Sequence, residues 1–88
     1  MTRDDRPRLA PKARLRADRA TGGMMLLAPE KGLALNATAA AALELCDGAR
    51  SVAAICEELS ARFGHDAAAI EADVLPFFTA LRDRGLLA

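Results

Sequence analysis

The sequence predicts an α+β fold that is winged helix-turn-helix-like, with a three-stranded antiparallel sheet followed by a three-helix bundle. Three observations carry this expectation. Up to Leu35, short apolar or alternating runs are separated by Gly and Pro; beyond Asn36, apolar residues recur every three to four positions; and 88 residues suffice for one compact domain but not two.

Taken in order, Pro7 and Pro11 interrupt a charged start and predict a flexible N-terminal arm over residues 1–12, leaving 13–88 as the single domain. From Ala13, small apolar residues (Ala13, Leu15, Ala17) alternate with charged ones (Arg14, Arg16, Asp18), the pattern of a half-buried strand. Thr21-Gly22-Gly23 reads as a turn, Met24 to Ala28 as a second strand, Pro29-Glu30-Lys31-Gly32 as another turn and Leu33-Ala34-Leu35 as a short third strand.

Asn36 is suited to cap a helix, because its side-chain oxygen can accept from a first-turn amide, and Thr38 to Cys46 is the first helix, stopped by Asp47-Gly48. Ser51 caps a second helix. Its residues Val52, Ile55, Cys56, Leu59 and Phe63 fall on one face, and Gly64 ends it. Asp66 caps a third, with Ile70, Val74, Phe77 and Leu81 as core stripe and Gly85 at the end. Pro76 lies inside that helix and removes one backbone donor. A second row, Leu75, Phe78 and Arg82, runs beside the stripe and either widens the core or lines a groove.

The chain offers little material for catalysis. His65 is the only histidine and sits in a turn with no nucleophile or second ligand nominated beside it. Glu57 and Glu58 are adjacent on a helix and point apart, and Gly22-Gly23 lacks the spacing of a phosphate-binding loop. Cys46 and Cys56 fall in apolar helical patterns and read as buried reduced thiols. The expected protein is therefore no enzyme and holds no metal or cofactor. Residues 1–20 contain no apolar run of signal-peptide or membrane-spanning type, so a cytoplasmic protein is expected.

The balance of 12 basic and 12 acidic residues is uneven: from Arg3 to Arg19 seven basic residues face three acidic ones. Strands plus three short helices would also suit a winged-helix transcription regulator. Yet the third helix presents Glu71, Asp73 and Asp83 against Arg82 and Arg84, and the second presents Glu57 and Glu58 against Arg62, a mixture that would repel a duplex. No nucleic-acid partner is expected.

The chain resembles the PqqD family of pyrroloquinoline quinone biosynthesis. The resemblance rests on Pro11 before ARLRAD (Ala13–Asp18), on LLAPEKGLALN (Leu26–Asn36), on LELCDGARSVAAI (Leu43–Ile55) and on DVLPFFTALRDRGLL (Asp73–Leu87). It implies a peptide-binding adaptor with two partners, the precursor peptide PqqA and the radical-SAM enzyme PqqE to which the peptide is presented. An extended peptide can add as a further strand to an exposed sheet edge while adjoining pockets take alternate side chains. On that reading Leu33, Ala34 and Leu35 form the edge, and Leu75, Phe78 and Arg82 form the opposite wall, Arg82 facing a peptide carboxylate. An apolar edge of this kind also favours a homodimer.

Overall fold

The computed structural model describes every residue except Thr21, Pro29 and Glu30, which include parts of both expected turns. Three strands, β1 (Arg14–Ala17), β2 (Met24–Ala28) and β3 (Lys31–Leu35), precede three helices, α1 (Ala37–Glu44), α2 (Val52–Phe63) and α3 (Ala67–Asp83). The fold is α+β. The strands form an antiparallel meander in the order β1-β2-β3, so β1 and β3 are both edges. Lys31 and Gly32, expected in the turn, instead belong to β3, opposite Ala28 and Leu27.

Register sorts the side chains. Leu15, Leu26 and Leu33 are cross-strand partners on one face, and Arg16, Met25 and Ala34 are partners on the other. Leu26 is 1% exposed and anchors the sheet to the helices, whereas Leu33, at the end of the same row, remains 38% exposed.

The helix ends follow their capping residues. The Asn36 side chain accepts from the Ala39 amide at 2.7 Å, and Ser51 does the same for Ala54 at 3.1 Å. Gly64 closes α2 in the left-handed region (φ 70°, ψ 23°), which a residue with a Cβ adopts at a cost. Helix α1 is shorter than expected, because the Leu45 amide is shared between the Ala41 and Ala42 carbonyls and the chain turns before Cys46. Asp66 occupies the N-cap position of α3, but its side chain makes no capping bond. Helix α3 continues through the exposed Pro76.

The core lies between α1, α2, α3 and the inner sheet face, with Phe78, Leu26, Leu43, Ile55 and Leu59 among its fully buried side chains. Each such side chain contributes about 1.5–3 kcal/mol by leaving water. Phe77, expected in the core stripe, is only half-buried, and Phe78 takes its place at 0% exposure.

Residues 1–12, expected as a flexible arm, pack along the helices. Pro7 is fully buried, and Arg8 and Ala88 exchange backbone hydrogen bonds of 3.3 and 2.8 Å, tying the two chain ends together. The carbonyls of Asp5 and Arg3 each accept at 2.9 Å from the Val52 and Ala53 amides. Those are first-turn donors of α2 with no partner inside the helix, and Ser51 satisfies the next in line. The sequence shows the prolines but not these donors, which exist only once α2 stands beside the arm. A chain beginning at Arg6 is expected to be less stable by about 1–3 kcal/mol, two backbone donors having lost their partners. Urea unfolding of the two forms checks this; equal midpoints would mean that the arm contributes nothing.

Candidate functional site

Helix α3 packs on α2, and α1 lies against both α2 and the sheet. Helix α3 and strand β3 therefore stand as two walls with α1 between them. The space enclosed is a cleft of about 680 Å³. Leu33, Ala34, Leu35 and Asn36 form one wall, Thr38, Ala39 and Ala42 the floor, and His65, Asp66, Ala69, Ile70, Asp73, Val74 and Phe77 the other wall. The floor is open because α1 (ATAAAALE) carries almost nothing larger than alanine on this side.

The hydrogen-bonding capacity of the β3 wall follows from strand pairing. In an antiparallel pair, hydrogen-bonded and non-hydrogen-bonded residue pairs alternate. The Asp18 amide donates to the Gly23 carbonyl at 2.8 Å, so this pair is of the bonded type and, two steps further, so is Arg16 with Met25. Met25 and Leu27 thus direct their main-chain groups at β1, and Met24, Leu26 and Ala28 direct theirs at β3. The bonded positions of β3 are accordingly Leu35, Leu33 and Lys31, while Ala34 and Gly32 turn their amides and carbonyls to the free edge. Ala34 presents those groups within the cleft.

Of the residues expected in a peptide site, Leu33, Ala34 and Leu35 line the cleft, but Leu75, Phe78 and Arg82 do not. Phe78 is buried in the core, Leu75 packs beside it, and Arg82 Nη1 lies 3.7 Å from Asp5 Oδ2. Residues 71, 75, 78 and 82 form one stripe of α3, and the N-terminal segment runs along it: Arg3 pairs with Glu71 at 2.9 Å, the Met1 amino group donates to Thr79 at 3.4 Å, and Asp5 meets Arg82. The stripe is covered by a segment of the chain itself, which turns over residues 2–5, where the Asp5 amide donates to the Thr2 carbonyl at 3.2 Å. The cleft-facing residues that sequence reasoning missed, Asp66, Ala69, Ile70, Asp73 and Phe77, lie on a different sector of the same helix.

Charge in the cleft is anionic. Among the described residues lining it, Asp66 and Asp73 are the charged side chains, and none is Lys or Arg. The two cysteines lie outside the cleft and are free and buried. Burial, reinforced by the neighbouring Asp47 carboxylate, pushes the Cys46 thiol up to about 12, and burial with Glu71 pushes Cys56 up to about 11. Both are therefore protonated and poorly nucleophilic at neutral pH. Among the described residues no three His, Cys, Asp or Glu side chains gather closely enough to hold a metal ion, and no helix is long and apolar enough to cross a membrane.

The sequence matches the profile of the family Coenzyme PQQ synthesis protein D (PqqD) over residues 23–87. It is 45% identical over 87 residues to the PqqA binding protein of Xanthomonas axonopodis pv. citri (strain 306), covering 99% of this chain and 95% of that one. To the PqqA binding protein of Rhodopseudomonas palustris (strain HaA2) it is 42% identical, covering 99% and 85% of the two chains. Among solved structures it is similar to the PqqD truncation of Methylobacterium extorquens PqqCD, solved by solution NMR as a functional and stand-alone RiPP recognition element. The TM-score is 0.87 and the identity 38%, over 100% of this chain and 94% of that one. The crystal structure of PqqD from Xanthomonas campestris matches with TM-score 0.63 and 39% identity, over 100% and 98%. With a family profile over most of its length, relatives above 40% identity end to end and the same strand-then-helix order, the chain belongs to the PqqD family.

Proposed function

We propose that this protein binds the precursor peptide PqqA as a fourth strand on β3 and presents it to the radical-SAM enzyme PqqE, without itself catalysing a reaction. The observation that carries this reading is the free edge of β3 facing an apolar cleft. The Ala34 amide and carbonyl are available for a backbone ladder, and Leu33, Ile70, Val74 and Phe77 offer apolar surface to alternate side chains. The names of the relatives, which bind PqqA, supply the peptide's identity. Phe77 replaces Phe78 in the proposed contact set, and Arg82, held on the far side by Asp5, leaves it. The cytoplasm is the proposed location. A second copy seated on the same edge would give a homodimer that competes with the peptide.

Strand addition makes a residue-by-residue prediction for amide exchange. On adding PqqA to labelled protein, exchange at Ala34 and Gly32 is expected to slow, while Leu33 and Leu35, already bonded to β2, change less. Uniform slowing along β3 would indicate general stabilisation instead. Changes confined to α3 would place the peptide on the helical face and exclude the added strand.

A further inference from the structure

We infer that a strand bound on β3 is read on both of its faces: Met25, whose end lies over Gly32 on the side of the sheet away from the helices, selects a large apolar side chain of the peptide. This rests on the strand-addition reading and adds a specificity-determining contact outside the cleft.

Register places the contact. Cross-strand partners set their side chains on the same face, so Arg16, Met25 and Ala34 form one outer row and Arg14, Leu27 and Gly32 the next. The helices pack on the other face, through Leu26. A peptide added beside β3 continues these rows whichever way it runs. Its residues beside Leu33 and Leu35 point into the cleft, and those beside Gly32 and Ala34 point outward. The cleft therefore reads only every second residue of the bound strand.

What the outward residues meet is set by a glycine. Met25 is the partner of Ala34, yet its side chain runs along the sheet to Gly32: a Cβ built there would lie 2.8 Å from Met25 Cε and 3.4 Å from Leu27 Cδ2. Carbon atoms in contact keep about 3.5–4.0 Å, so the methyl end of Met25 occupies the place of the missing side chain. Gly32 is not one of the glycines with positive φ, so space rather than backbone conformation calls for it. Gly32 and Ala34 are also the residues whose main-chain groups face the free edge, so this apolar cover lies over the segment to which the peptide bonds.

An incoming strand lies about 4.8 Å beyond β3. Across that distance an alanine beside Gly32 leaves the Met25 methyl unmet. A leucine, a methionine or an aromatic ring lies over the glycine and closes on it, as rings do over glycines of paired strands. The flexible thioether adapts to branched chains and rings alike, so the class selected is large and apolar.

The test is fluorescence anisotropy of labelled PqqA, with urea unfolding in parallel, on the natural protein, Met25→Ala, Gly32→Ala and Ala34→Pro. Met25→Ala removes the contact and is expected to bind about 3–10-fold more weakly. Gly32→Ala keeps the amide and displaces only the flexible end of Met25. It is expected to leave stability unchanged or raised, because glycine weakens a strand, and yet to lose affinity by a similar factor. A general folding defect does not combine those two results. Replacing the large apolar residues of PqqA by alanine one at a time should reveal one whose cost on the natural protein disappears on Met25→Ala. If both variants bind like the natural protein while Ala34→Pro does not, the peptide adds as a strand read on its cleft side alone, and the inference is overturned by itself. Met25→Ala that alters self-association in sedimentation but not peptide affinity assigns the patch to a second copy and overturns it likewise. If Ala34→Pro also binds normally, or the natural protein does not bind PqqA, the strand-addition reading fails and takes the inference with it.

Discussion

Replacing Phe78 by alanine is expected to destabilise the protein by about 3–5 kcal/mol, while the same change at Phe77 costs about 1 kcal/mol or less and falls instead on peptide binding. The two rings are sequence neighbours with centroids 6.0 Å apart. Their surroundings differ. Phe78 is 0% exposed and sits in the same core cluster as Val74, Leu81 and Leu59, so truncation leaves a cavity that this packed core can only partly close. A domain of this size has a total stability of roughly 4–13 kcal/mol, so the loss is a large share of the whole. Phe77 is half-buried at the wall of the cleft, where its outer face meets solvent in the free protein and would meet the peptide in the complex. Central aromatic contacts of this type carry a disproportionate part of binding, and Phe77→Ala should weaken PqqA by about tenfold or more. Urea unfolding and peptide titration of both variants check the pair. A Phe77→Ala protein that loses stability but binds normally would return Phe77 to the core and remove it from the site.

Ala34→Pro is expected to reduce PqqA affinity by about 10–50-fold with little loss of stability. The asymmetry follows from the direction of one amide. Ala34 pairs with Met25 at a non-hydrogen-bonded position, so its N–H belongs to the free edge and not to the β2 ladder. Proline there leaves the existing sheet bonds in place, and its demand that Leu33 be extended is already met within a strand. What it removes is a donor to the incoming peptide, and its ring carbons occupy the line along which that peptide must approach. The lost hydrogen bond alone is worth about 0.5–1.5 kcal/mol net, and the steric obstruction adds to it. Ala34→Ser, which keeps the amide, should bind normally. A folded Ala34→Pro protein with undiminished affinity would rule out strand addition at β3.

Much of the architecture is legible from residue type because its causes are local. Asn36 and Ser51 cap helices with their own side chains, Gly64 accepts a left-handed conformation, and alternation around Leu15 fixes which face of β1 is apolar. The β3 wall is legible for the same reason: the last strand of a meander is an edge, and Leu33 to Leu35 are that strand. The opposite wall is not. Stripes 70, 74, 77, 81 and 70, 74, 78, 81 are both acceptable helical faces, since 77 and 78 flank the centre of one broad apolar sector.

The order of elements, the Asn36 and Ser51 caps, the Gly64 stop and the edge strand follow from the residues alone, because each depends on neighbours a few residues away along the chain. Only the tertiary structure decided which sector of α3 faces α2, which faces the cleft and which is covered by the N-terminal segment. Those choices depend on where elements distant in sequence meet: Phe78 is buried because α2 and α3 pack around it, and Arg82 faces Asp5 because residues 1–5 lie along that stripe. The fate of Asp66 and Asp73 has the same origin. In one dimension Asp66 reads as a helix cap and Asp73 as an exposed charge of the third helix, and both come to line the cleft only when β3 and α3 stand opposite each other across the small side chains of α1.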